Sequence, residues 1–147
     1  MTSCDDFLDR PVEDNYNTEN YYTDDASCAR GVYFLYNSPW YDFLRGFFKV
    51  GEVMSGNMYM GGEAYMNFSV NGTNQNLIDM SNSLWAVVGN ANTVYNSIKG
   101  SNASQSAKDQ CMGECLTWKA MAYFYLVRSF GDSGRSCCRT WRRCGAC

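Results

Sequence analysis

Apolar residues recur along this chain at helical steps, and polar or glycine-rich breaks divide them into segments. The clearest run is Leu77, Met80, Leu84, Val88, Ala91, Tyr95 and Ile98, spaced by three or four residues throughout. That period puts one stripe on one side of an α-helix, and Gly100 stands where a C′ glycine ends such a helix. A longer helix is expected over 104–130, stopped by Gly131. Cys111, Cys115, Trp118, Ala122 and Tyr125 mark one of its faces; Leu116, Ala120, Tyr123, Phe124 and Val127 mark the adjoining one. A helix apolar around so much of its circumference expects neighbours on more than one side.

Two shorter helices precede these. Thr23 is a good N-cap, and Asp24 and Asp25 follow where the helix dipole favours acids. A helix from there to residue 37 puts Ala26, Ala29, Tyr33 and Tyr36 on one side, and Ser38-Pro39 ends it. A second helix is expected over 40–54, with Trp40, Phe43, Leu44, Phe47 and either Phe48 or Val50 at helical steps. Residues 55–73 are glycine-rich and carry Asn57, Asn67 and Asn71, which predicts a long loop of the kind that is often functional.

The short turn at 101–103 makes the last two helices an antiparallel hairpin, with Gly89, Ala91, Ala120 and Ala122 small enough for close approach. The expected fold is therefore all-α, built from tetratricopeptide-like helical hairpins in an incomplete repeat stack. The expected divisions are an extended arm over 1–22, a helical region over 23–132 and a disordered tail over 133–147.

Composition narrows the chemistry. Of 147 residues, 46% are hydrophobic and 16% aromatic, and none is histidine. The commonest general base and metal ligand is thus absent. There is also no nucleophile motif, no phosphate-binding loop and no adjacent acid pair poised for catalysis, so an enzyme is the least favoured class. All acids lie before residue 133, where the local net charge is −7, while the last residues hold four arginines and no acid. An acidic body argues against nucleic acid as partner. Cys28, Cys111 and Cys115 sit in the helical region, whereas Cys137, Cys138, Cys144 and Cys147 crowd the end. Cys111 and Cys115, at i and i+4, could in principle chelate a metal, but core packing is the preferred reading and no metal or cofactor is expected. No run is apolar enough to span a membrane, and no leader peptide is recognised at the start.

Two stretches then carry a resemblance. Met1-Thr2-Ser3-Cys4 fits a lipobox ending, and Cys4-Asp5-Asp6-Phe7-Leu8-Asp9 looks like the start of a mature lipoprotein. Gly113-Glu114, Lys119-Ala120, Tyr123-Phe124, Leu126-Val127-Arg128 and Phe130-Gly131-Asp132 resemble a G-E-A-x-F-L-R-A-x-x-Y-F-x-L-V-R-x-F-G-D run. Both are similar to the SusD/RagB-like outer-membrane nutrient-binding lipoproteins, over residues 4–132. Where that family continues with Val-Pro, this chain turns to Ser133-Gly134-Arg135 and its cysteine-rich end, which reads as a shifted reading frame.

The resemblance implies a cell-surface lipoprotein of Bacteroidota-type bacteria, held to the outer membrane by a lipid on Cys4. It also implies capture of an oligosaccharide or other nutrient for a SusC-like TonB-dependent transporter. The alternative is a structural helical module that docks on the transporter without a ligand of its own. Trp40, Tyr59, Tyr65 and Trp85 are the expected stacking residues, because sugar rings pack on flat aromatic faces. Trp118, Tyr123 and Phe124 read as core. Glu114 and Arg128 read as a structural ion pair rather than as catalytic groups. Asn67, Asn71 and Asn102 match glycosylation sequons but read as loop polar residues.

Overall fold

A computed structural model describes residues 21–37, 40–62 and 64–131. The arm before Tyr21, Cys4, Ser38-Pro39, Glu63 and everything from Asp132 onward, including the terminal cysteines, lie outside the described residues. Among those described, every regular element is helical. They are α1 (Asp25–Asn37), α2 (Tyr41–Phe48) with a π-helical continuation over Lys49–Val53, α3 (Gln75–Lys99) and α4 (Gln105–Phe130). The expected all-α architecture holds, and α3 and α4 form the expected hairpin.

Each start has a side-chain reason. The cap of α1 is Asp24, not Thr23: its Oδ1 accepts the Ser27 N–H at 2.8 Å, and Ser27 Oγ accepts the Asp24 N–H at 3.1 Å. That reciprocal box satisfies two otherwise unpaired amides. Asn74 caps α3 by accepting the Asn76 N–H, and Ser104 caps α4 by accepting the Ala107 N–H. Asp25 then ties the start of α1 to the start of α4. Its carboxylate accepts both the N–H and the hydroxyl of Ser104, at 2.7 and 2.8 Å. At the far ends, Gly131 stops α4 with φ +63°, a conformation that favours glycine, whereas Gly100 after α3 stays right-handed at φ −84°.

The core forms two clusters. Cys28, Val32 and Leu35 of α1 pack with Ala91, Val94 and Ile98 of α3 and Cys111 and Cys115 of α4. Phe43 of α2 packs with Met80, Leu84, Val87 and Val88 of α3 and Ala122 and Leu126 of α4. Trp118 borders both. The hairpin is thus the spine, with α1 against one end and α2 against the other.

Several expected faces turn. On α1 the buried side is Cys28, Gly31, Val32 and Leu35, while Tyr33 and Tyr36 face solvent. Apolar residues surround that helix, so period alone could not choose the inward side. On α2, Phe43 and Gly46 are buried, but Leu44 and Phe48 are exposed. Of the four small residues expected at the close approach, Ala91 and Ala122 are buried in the two clusters, but the other two are not. Gly89 has open space around it and Ala120 is exposed, whereas a Cβ on Gly46 would lie 2.6 Å from the Asn76 carbonyl oxygen. Gly46 is what lets α2 lie on the start of α3.

Candidate functional site

The sequence-predicted aromatics do not share one surface. Trp40 is partly enclosed: its indole N–H donates to the Leu35 carbonyl at 2.7 Å, and its ring meets Phe43 edge-on and Trp118 at a tilt. Trp85 is half-buried, edge-on to Tyr123 at 6.1 Å. Tyr65 is wholly buried, and its hydroxyl donates at 2.8 Å to the side-chain Oδ1 of Asn74, the same oxygen that caps α3. In this packing Tyr65 fastens the long loop to a helix start, and its ring has no open face for a sugar. Tyr59 differs from the other three, being 81% exposed.

The residues read as core also divide. Trp118 is half-buried with Tyr36 edge-on to it at 4.7 Å, and Tyr123 packs against the second cluster, but Phe124 is exposed. Glu114 and Arg128 do not pair. They lie 14 residues apart on one helix, roughly 21 Å along its axis. Glu114 accepts the Tyr36 hydroxyl at 2.9 Å and the Gln110 amide, while Arg128 lies 5.3 Å over the Phe124 ring. Asn71 acts as a loop polar residue, its side chain accepting from the N–H and hydroxyl of Thr73.

Cys111 and Cys115 are buried in the first cluster beside Cys28, all three as free thiols. Burial pushes the Cys115 thiol up to about 12, with Cys111 and Glu114 adding to the shift. Burial likewise raises Cys111. Thiols held in the neutral form this way behave as small core residues. Among the described residues no His, Cys, Asp or Glu cluster is suited to a metal ion.

A concavity lies on the outer side of α2. Tyr41, Leu44, Arg45, Phe47, Phe48 and Lys49 line one wall, and Met58 and Met60 of the loop line the other, around about 560 Å³. That volume lies in the range of small-molecule sites. The walls are apolar and no carboxylate lines them, but two cations do, one helical turn apart. Arg45 lies 5.2 Å over the Tyr41 ring, with Asp42 at 3.7 Å from its Nε. The Tyr41 hydroxyl and Asp42 both hold the Arg45 guanidinium in its charged form. Lys49 lies 5.6 Å over Tyr65, so the buried tyrosine supports the rim. The π-helical turn begins at Lys49, and such turns recur beside functional sites.

Sequence reasoning missed this groove because it assigned Leu44 and Phe48 to the core. The spacing of Tyr41, Leu44 and Phe48, at i, i+3 and i+7, was its signal. It marks a second apolar stripe, which a helix needing only one neighbour does not require.

Comparison with known proteins places the chain. No family profile and no solved structure matches it. A SusD-like protein of Bacteroides ovatus, however, is 31% identical over 138 residues, which cover 89% of this chain. Over that span the chain is similar to one part of a SusD-like protein. The SusD-like match spans 25% of the relative's own length, so what the whole relative does is not automatically what this region does. No helix among the described residues is long and apolar enough to cross a membrane.

Proposed function

We propose that this chain is part of a surface lipoprotein that captures an oligosaccharide or related nutrient and presents it to a SusC-like TonB-dependent transporter, without chemical conversion. The observation that supports this most is the 31% identity to a SusD-like protein across 138 residues. Anchoring would be through a lipid on Cys4 to the outer membrane, leaving the helical region to recognise ligand and partner. In this reading Tyr59 supplies the stacking face, since its ring is open and it stands between the two groove methionines.

Isothermal titration against plant, host and starch oligosaccharides tests the reading. Weak saturable binding to one class, lost in Tyr59→Ala, is expected. Binding that Tyr59→Ala leaves unchanged removes that residue from the site. If neither this chain nor a polypeptide of the relative's full length binds any glycan or peptide, nutrient capture is refuted.

A second reading is favoured by the groove itself. Its walls are apolar rather than rich in hydroxyl-binding groups, which suits a protein surface better than a sugar. On that reading the helical region grips the transporter and binds no ligand. Leu44→Asp combined with Phe48→Asp would then abolish recovery of the transporter in a pull-down while leaving glycan titrations unaltered.

A further inference from the structure

Among the described residues other than glycine, Phe68 alone has a positive φ, +52°. A bulky L side chain rarely adopts that left-handed backbone, because its Cβ crowds the neighbouring carbonyl. Strain of this kind persists only where the surroundings hold it in place. The ring does not supply the hold, being 69% exposed. The backbone on either side does. The Ser69 N–H and hydroxyl both donate to the Ala64 carbonyl, at 3.0 and 3.4 Å, and the Phe68 N–H donates to the Tyr65 carbonyl at 3.5 Å. Residues 64–69 thus form a closed turn with the strained residue near its end.

Tyr65 reaches out of that turn to a helix. Its buried hydroxyl donates to Asn74 Oδ1 at 2.8 Å, and the same oxygen accepts the Asn76 N–H at 3.1 Å. The phenol thereby fixes the side chain that caps α3. The Asn74 backbone carbonyl accepts the N–H groups of Leu77 and Ile78, so this one residue closes the first turn of the helix. Lys49, at the rim of the groove, has its ammonium 5.6 Å over the Tyr65 ring. The bonds from Thr73 to Asn71 and from Ser69 to Ala64 are exposed to solvent. Segments held by exposed bonds open more readily than packed helices.

We propose that residues 64–74 are a strap that opens as one unit. Strain at Phe68 favours release, and Tyr65 holds the strap shut by sharing Asn74 Oδ1 with the cap of α3. Opening frees the start of α3 and withdraws the Tyr65 ring from Lys49, so the rim of the groove changes with it. The device works within the chain and does not depend on which ligand the protein takes.

Amide hydrogen exchange read residue by residue by NMR, on the full chain under reducing conditions, tests it. Tyr65→Phe keeps the ring and removes only the hydroxyl. Exchange at Ser69 and at Asn76 should then both quicken, by about threefold to tenfold, as one hydrogen bond is lost. Phe68→Gly has the opposite expected sign: relief of the backbone should slow exchange at both amides about threefold. Cys115 and Ala122 of α4 should respond to neither variant. Should Tyr65→Phe lose helix by far-UV circular dichroism, Phe68→Gly decides alone. Quickening at only one of the two amides, equal quickening at Ala122, no response to Tyr65→Phe, or exchange in Phe68→Gly as fast as in the unaltered chain would each overturn the proposal.

Discussion

Asp24 and Asp25 are neighbours in sequence, both solvent-facing, and each holds a different helix. Asp24 caps its own through Ser27, while Asp25 reaches across to the cap of α4 at Ser104. Both carboxyls are held below their usual range: hydrogen bonds from Ser27 lower Asp24, and those from the Ser104 N–H and hydroxyl lower Asp25. A carboxyl depressed on folding adds stability that is present above its unfolded pKa, about 3.9, and is lost as pH falls through the folded value. Melting temperature should therefore drop as pH falls below about 4, and Asp25→Asn should flatten that acid limb while lowering the plateau. Thermal melts across that range, repeated in high salt to screen these surface groups, check it.

The thiols make the opposite case. Cys115, pushed up to about 12, stays protonated at neutral pH inside the first cluster. Alkylation of Cys115 in the folded chain at about pH 8 should run at least roughly tenfold slower than after denaturation, read by peptide mass spectrometry. Only the i, i+4 spacing of the cysteines was visible in sequence; that they meet Cys28 is a consequence of how α1 docks.

At the scale of elements, the hairpin was legible almost to the residue. The period of α3 and the cap at Ser104 are local properties, so local sequence suffices to show them. Close approach was legible only at Ala91 and Ala122, because it depends on what lies opposite. Gly46 and Gly89 make the contrast. Gly46→Ala would drive a Cβ into the Asn76 carbonyl and the Met80 side chain, and should cost about 1–3 kcal/mol. Gly89→Ala meets open space on an exposed helical turn, and should stabilise by about 0.4–1 kcal/mol through the unfolded chain's lost freedom. Urea unfolding of the two variants gives both signs in one experiment.

For the molecule as a whole, the buried and exposed leucines separate what stabilises from what is displayed. Leu84 is fully buried in the second cluster, and Leu84→Ala should cost about 2–5 kcal/mol. Leu44 lines the groove, and Leu44→Ala should change stability by no more than about 0.5 kcal/mol while reducing whatever the groove binds. Unfolding curves for the pair check the division. The expected stacking set illustrates the same point from the other direction. Trp40, Tyr65 and Trp85 are flat aromatics near loops, as a sugar platform would be, yet each is drawn inward. A ring packed on neighbours is removed from water along with them, and nothing in the local sequence records that competition.

The sequence by itself determined that this chain is helical, where the long hairpin begins and ends, and which family it resembles, since caps, glycines and apolar periods act within a few residues. Only the tertiary structure decided which side of α1 and α2 faces inward. Both helices carry apolar residues on more than one side, and the choice was made by the surfaces that α3 and α4 offered. The groove beside Arg45 and Lys49 is the remainder of that choice: the apolar stripe that the core did not take.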